Sequence, residues 1–296
     1  MVSKKSKGFA TIVVVALVAM LSLGLVSIPA ANAAGSTTVV VTEADVARQA
    51  EDTAPLKNWV IYTRANTTGT ATFRNGPGMP PLGTGSLEFT TPTGADKVFA
   101  FNFDYVGKKL SDISAIGYST YRSAGSAQQV AALNMVIDFN GPAVAGGFST
   151  LVFEPVYNTA QGSVVSGQWQ TWDAYTNGVW WSTQPINGQC AGATDACDKT
   201  WAEIVANNPD ATILGGFGIN QGSGNPGLTT AVDALTIGVS GNTTVYNFEL
   251  TPPPPPIVVA TDKNQCKKGG WENVKRADGS SFKNQGDCVS YTNNGK

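Results

Sequence analysis

Two stretches of this chain alternate large apolar side chains with small or polar ones at a period of two, and this pattern restricts the fold most. In Val98 to Val106, Phe99, Phe101, Phe103 and Tyr105 share one face, opposite Ala100, Asn102 and Asp104. In Val130 to Phe139, Ala131, Leu133, Met135, Ile137 and Phe139 face one way, opposite Ala132, Asn134 and Asp138. Successive side chains of a strand point to opposite faces. Alternation over this length predicts half-buried antiparallel strands rather than the continuous apolar runs of a parallel sheet. The expected inward set is Phe99, Phe101, Phe103, Leu133, Met135 and Ile137.

Further strands are expected at Thr38–Thr42, Trp59–Thr63, Ser86–Thr90, Ile113–Tyr121, Ser149–Glu154, Gln168–Tyr175, Ala211–Ile219, Val232–Val239 and Thr244–Leu250. Turn signals such as Asn140-Gly141-Pro142, Asn177-Gly178 and Gly241-Asn242 separate them. One short helix opens at Thr200-Trp201-Ala202-Glu203, a capping box, and Asn207-Asn208-Pro209 stops it. Many short strands with one helix predict an all-β, antiparallel two-sheet sandwich of the jelly-roll, lectin-like kind.

The domain plan follows from the ends and from one proline run. Lys4, Lys5 and Lys7, an apolar run from Thr11 to Val26 and the small-residue site Ala31-Asn32-Ala33 predict a signal peptide over 1–33, and hence a secreted, extracellular protein. An uncleaved anchor is the alternative, the apolar run being only slightly short of a full span. No second apolar stretch predicts a membrane span in the mature chain. Residues 34–251 form the expected sandwich. Pro252–Pro256 is a stiff linker that can join neither helix nor sheet interior. Residues 257–296 form a small C-terminal module closed by a disulfide.

Charge and composition exclude several functions. Three of the 19 basic residues lie in the leader and none of the 21 acidic ones, so the mature chain carries −5. An acidic body argues against nucleic acid as a partner. The chain has no histidine, which excludes a Ser-His-Asp triad, a Cys-His pair and any His-ligated metal. Four cysteines in an exported chain read as two disulfides with three connectivities open. The local pairing, Cys190–Cys197 and Cys266–Cys288, is favoured, and it leaves no free thiol as a nucleophile.

The stretch Trp59 to Leu250 resembles the concanavalin A-like and carbohydrate-binding-module jelly rolls of secreted proteins. The resemblance rests on Gly76-Pro77-Gly78, Gly83-Thr84-Gly85-Ser86-Leu87, Val232–Gly238 and Tyr246-Asn247-Phe248-Glu249. More narrowly, the chain is similar to a group of uncharacterised exported bacterial proteins. They share Trp169–Asp173, the Cys190 and Cys197 pair before Thr200–Glu203, and a tail of Cys266–Trp271 and Phe282–Tyr291. Many jelly rolls of this type hold a structural calcium. The resemblance places one at Asp233, with Glu249 nearby.

Three functions from different classes are weighed. The leading expectation is a non-catalytic module that binds carbohydrate or a cell-envelope polymer, because aromatic faces cover pyranose rings while amides and carboxylates bond hydroxyls. Its expected contacts are Trp172, Asp173, Tyr175, Trp180 and Asn134. Trp169 and Trp172, like Trp180 and Trp181, must point to opposite sides, so one of each pair is expected in the core. The second reading is a polysaccharide hydrolase or lyase that pairs two of Asp104, Asp138, Glu154 and Asp173. The third is a structural surface protein with no small ligand. Oligomeric state has no sequence signal. Non-reducing peptide mapping of exported protein is expected to show a mature N-terminus at Ala34 and the two local disulfides; a Cys190–Cys266 peptide would overturn the pairing.

Overall fold

The computed structural model describes residues 35–250 and 258–294. The leader at 1–33 and the proline run at 252–256 lie outside the described residues. The strands of the first half are β1 (Ser36–Val41), β2 (Val46–Ala50), β3 (Trp59–Thr63), β4 (Thr70–Asn75), β5 (Gly85–Thr91), β6 (Lys97–Asn102), β7 (Ile113–Ala124) and β8 (Ala132–Asp138). They are followed by β9 (Phe148–Phe153), β10 (Trp169–Asp173), β11 (Val179–Ser182), β12 (Lys199–Thr200), α1 (Trp201–Asn207), β13 (Thr212–Gly222), β14 (Leu228–Val239) and β15 (Asn242–Phe248).

These strands form two sheets, as the sandwich expectation requires. Seven build one sheet around β14, which runs beside β7 along its length and pairs on its other side first with β5 and then with β15. The other sheet has the order β12-β11-β9-β8-β13-β6-β3-β2. Two pairs, β1 with β15 and β2 with β3, are parallel and depart from the all-antiparallel expectation. Both β1 and β2 come from the N-terminal stretch, and each lies at the edge of its sheet.

Every expected strand is present. The sequence reading lacked β2, β4, β11 and β12, which are short or polar: Val-Ala-Arg-Gln-Ala, Thr-Ala-Thr-Phe-Arg-Asn, Val-Trp-Trp-Ser and Lys-Thr. The helix α1 carries the predicted capping box, with the Thr200 hydroxyl accepting from Glu203 N–H and the Glu203 carboxylate accepting from Thr200 N–H.

The inter-sheet core holds Leu133, Met135 and Ile137, as expected, but the phase of β6 is reversed. Val98 and Ala100 face the core, whereas Phe99 and Phe101 lie on the outer side of their sheet with Val60 and Tyr62, and Phe103 packs against them. Both faces of β6 are buried, so its alternation separates large from small rather than inside from outside. On the inner face Ala100 lies between Ile61 and Ile219, and these larger neighbours supply the core side chains of that row. On the outer face Gly216 leaves the space that the Phe101 ring occupies: a Cβ at 216 would sit 2.4 Å from that ring.

The tail has its own small core of Ala260, Cys266, Val274, Phe282 and Cys288 under helix α2 (Gln285–Asn294). Both expected disulfides are formed, Cys190–Cys197 and Cys266–Cys288, and no cysteine is free. In the tail, Arg276 bonds Asp287 at 2.6 Å and lies over the rings of Phe282 and Tyr291.

Asp233 and Glu249, the expected calcium positions, serve the fold instead. Asp233 is fully buried where β14 exchanges β5 for β15, and its two oxygens accept the N–H groups of Leu82 at 2.9 Å and Phe248 at 3.1 Å. Glu249 accepts Thr84 N–H at 3.0 Å and the Thr84 hydroxyl at 3.4 Å. All four carboxylate oxygens thus face hydrogen-bond donors. Among the described residues no three acidic, His or Cys side chains gather to share an ion. A calcium cage needs six to eight oxygens turned to the cation, so this donor set does not fit one.

Burial pushes the Asp233 carboxyl up to about 7, against three backbone hydrogen bonds that hold it down, and the Glu249 charge adds to the rise. An acid with a raised folded-state value binds its proton more tightly folded than unfolded. Its contribution is therefore present below the ordinary carboxylate range and lost as pH rises toward 7. The full swing is on the order of 4 kcal/mol. Thermal denaturation between pH 4 and 8 is expected to show Asp233→Asn flattening the decline seen in the parent. Parallel profiles would show that Asp233 does not carry it.

Candidate functional site

The site lies on the outer face of the eight-stranded sheet, and the core positions define which residues reach it. On β8, Leu133, Met135 and Ile137 are core, so Ala132, Asn134 and Val136 face outward. On β9, Leu151 and Phe153 are core, which turns Val152 outward; Glu154 continues the strand in extended conformation, φ −121° and ψ 125°, on the same side. On β11, Trp180 is fully buried in the core and Trp181 faces the other way. On β13, Phe217 and Ile219 are core, and Gly218 and Asn220 are outward.

Strand register sets these residues in two rows. One runs Phe101, Gly218, Asn134, Val152, Trp181 across β6, β13, β8, β9 and β11. The next runs Phe99, Asn220, Ala132, with Glu154 one step beyond the last paired residue of β9. Each row has a small residue in its interior, Gly218 or Ala132, and aromatic or acidic side chains toward its ends.

Asp198 reaches this face through the loop after β11. Cys197 ties to Cys190, and the Gln189 amide donates to the carbonyls of Trp180 at 2.6 Å and Cys197 at 2.7 Å. Lys199 then pairs with Trp180 in β12, which puts Asp198 on the Trp181 side.

Both acids are partly buried. The Trp181 indole N–H donates to Glu154 Oε2 at 3.0 Å. Burial raises the Glu154 carboxyl above its ordinary value; the Trp181 bond opposes the rise and the Asp198 charge adds to it. Asp198 is raised by burial and by Asp195, with Lys199 opposing. Tyr157 is raised by burial and by the charges of Glu154 and Asp198, which places its hydroxyl in the same field. Neither Glu154 nor Asp198 forms an ion pair among the described residues.

Hydrogen-bond accounting singles out the same face. Seven buried side-chain atoms lack a partner among the described residues, and three are here: Oδ1 of Asn134, Asn220 and Asp198. Asn134 is only 5% exposed. Buried acceptors are almost always met by a donor from protein, water or ligand, and these three surround one stretch of sheet.

Of the contact and acid candidates read from sequence, only Asn134 and Glu154 stand in these two rows. Trp172 and Trp180 are core residues whose indole N–H groups are used internally, bonding the Thr120 hydroxyl at 2.8 Å and the Ala174 carbonyl at 2.7 Å. They cannot touch a ligand. Asp173 closes the turn between β10 and β11, accepting from Tyr175 N–H, Thr176 N–H and the Asn177 amide. Tyr175 packs on Trp201 and lines, with Leu110, Ile113 and Val205, an apolar cleft of about 480 Å³ beside α1. Asp104 bonds the side-chain amides of Asn58 and Asn102, and Asp138 accepts the Asn140 N–H, so each serves its own turn. Trp181, Tyr157, Asp198 and Asn220 were not singled out as contacts. The signal for Asp198 was its position directly after a half-cystine and two residues before the helix cap.

Among the described residues no helix is long and apolar enough to cross a membrane. No family model, curated protein or solved structure matches this chain.

Proposed function

We propose that this is an exported carbohydrate-binding protein whose contact surface is the outer face of β8, β9, β11 and β13. One observation carries the reading: the unmet Oδ1 atoms of Asn134, Asn220 and Asp198 lie on the sheet face that also carries the half-buried Trp181, with Asn134 two strands and Asn220 three strands from that indole. A pyranose ring matches this demand, because its hydroxyls donate to the acceptors while its C–H face covers an aromatic ring. The two local disulfides and the signal-like leader support export. A polysaccharide or cell-envelope polymer of repeating sugars would meet this face at its Trp181 and Glu154 end, because Phe99 and Phe101 at the other end are buried among Val60, Tyr62 and Phe103.

A second reading, hydrolysis, is favoured by one feature: burial and the Asp198 charge raise the Glu154 carboxyl, as a glycosidase general acid requires, and Asp198 would then have to serve as the ionised partner. Release of reducing ends from a bound polysaccharide, abolished by Glu154→Gln, would establish it.

Binding is tested by titrating soluble oligosaccharides of glucose, xylose and N-acetylglucosamine calorimetrically. Asn134→Ala and Trp181→Ala are each expected to weaken binding about tenfold, corresponding to roughly 1.4 kcal/mol. Tyr175→Ala, in the cleft beside α1, should leave binding unchanged. Equal effects from all three, or no binding by the parent, would overturn the assignment.

A further inference from the structure

The three unmet side-chain atoms on the sheet face are all acceptors, and Glu154 and Asp198 form no ion pair among the described residues. The side chains of Asn134 and Asn220 each leave an oxygen without a donor, and Asp198 leaves one of its own. Among the described residues the one donor to the Glu154 carboxylate is the Trp181 indole N–H. A neutral sugar hydroxyl would answer the acceptors but would leave the Glu154 carboxylate, which has a single indole donor and no ion pair among the described residues, without a counter-charge. An ammonium group answers both demands, since it brings three N–H donors, no acceptor and a positive charge.

We propose that the sheet face selects amine-bearing sugars, with a glucosamine-type ammonium group seated between Glu154 and Asp198 and reached by the Asn134 amide oxygen. This rests on the carbohydrate-binding reading and names its ligand class. Asn134 is the independent witness. Its side chain is 95% buried by the 5% exposure noted above, its oxygen has no partner, and it is the diagonal cross-strand neighbour of Glu154. The charged and titratable groups around the seat are Glu154, Tyr157, Asp195, Asp198 and Lys199, with Tyr118 on the core side of the sheet. Lys199 is the one cation among them, and its ammonium has no ion pair with Asp198 among the described residues.

Sequence supports the same sign. The body between the leader and the proline run is net acidic, carrying −8 over residues 34–256. The long-range field thus draws a polycationic chain toward the face and disfavours uronic-acid or phosphate-bearing polymers.

The test measures affinity of the full chain for three hexasaccharides: glucosamine, N-acetylglucosamine and glucose. The glucosamine hexamer is expected to bind at least about tenfold more tightly than either neutral hexamer at low salt. That advantage should shrink as salt rises from about 0.02 M to 0.5 M, because the Debye length falls severalfold over that range. Glu154→Gln and Asp198→Asn, both nearly isosteric, should each reduce the ratio of charged to neutral affinity, and the double variant should bring it close to one. Asn134→Ala should weaken all three hexamers.

Equal affinity for charged and neutral hexamers would overturn the ammonium seat while leaving the carbohydrate-binding reading intact. Persistence of the preference in the double variant, with an unchanged melting temperature, would also overturn it by placing selection elsewhere. Failure of all three hexamers to bind would remove both readings together.

Discussion

The sandwich depends on a single buried carboxylate at the place where its longest strands divide. β14 runs beside β7 throughout, but on its other side it leaves β5 and takes up β15. At such a fork, backbone N–H groups of neighbouring segments have no strand opposite them, and an unmet buried donor costs about 1–3 kcal/mol. Asp233 fills the gap with both oxygens, on Phe248 of β15 and Leu82 of the loop before β5. The adjacent Ala234 takes a left-handed conformation, φ +53°, as the register shifts between Asp233 and Thr236. This bulge returns Leu235 and Ile237 to the core. Glu249 repeats the device one turn away. Gly83 gives it room, since a Cβ at 83 would overlap its carboxylate.

The sheet that carries the candidate site is apolar on both of its faces in part, and this governs how far a periodic pattern can be read. For β8 the reading holds because its outer positions are Ala, Asn, Val and Asp, which differ in kind from Leu133, Met135 and Ile137. For β6 it fails because period-two alternation reports only that two faces differ. Side-chain size and polarity agree in both strands, but in β6 the large apolar face is the outer one, buried in a second cluster with Val60 and Tyr62. Which face of β6 is inner depends on what β3 and β13 contribute across the register. That is long-range information: Ala100 sits between Ile61 and Ile219, and Phe101 between Val60 and Gly218.

The same limit explains the tryptophans. Parity required one member of each pair to be buried, and it is: Trp172 and Trp180 are core, while Trp169 covers the Pro77 loop and Trp181 meets Glu154. Choosing between the members needed the pairing of β11 with β9, a four-residue strand whose own pattern specifies little. The Asn177-Gly178 turn signal lies between β10 and β11, as read, and the chain passes there from one sheet to the other. Asn134 and Glu154 were legible because polar residues on the outer positions of two strands stand out locally. Asp198 was not, because a seven-residue disulfide loop and a two-residue strand bring it to the face.

That loop gives the site a property the sheet does not share. The half-cystines Cys190 and Cys197 lie outside the inter-sheet core, whereas Asn134, Asn220 and Trp181 are fixed by strands packed directly on it. Asp198 is thus held twice over, by the disulfide on one side and on the other by the β12 pairing of Lys199 with Trp180 and the anchoring of Trp201 in the core. Thiol reduction would remove the first restraint and leave the second, so the loop would be retained by packing alone where it is now also closed by a covalent bond.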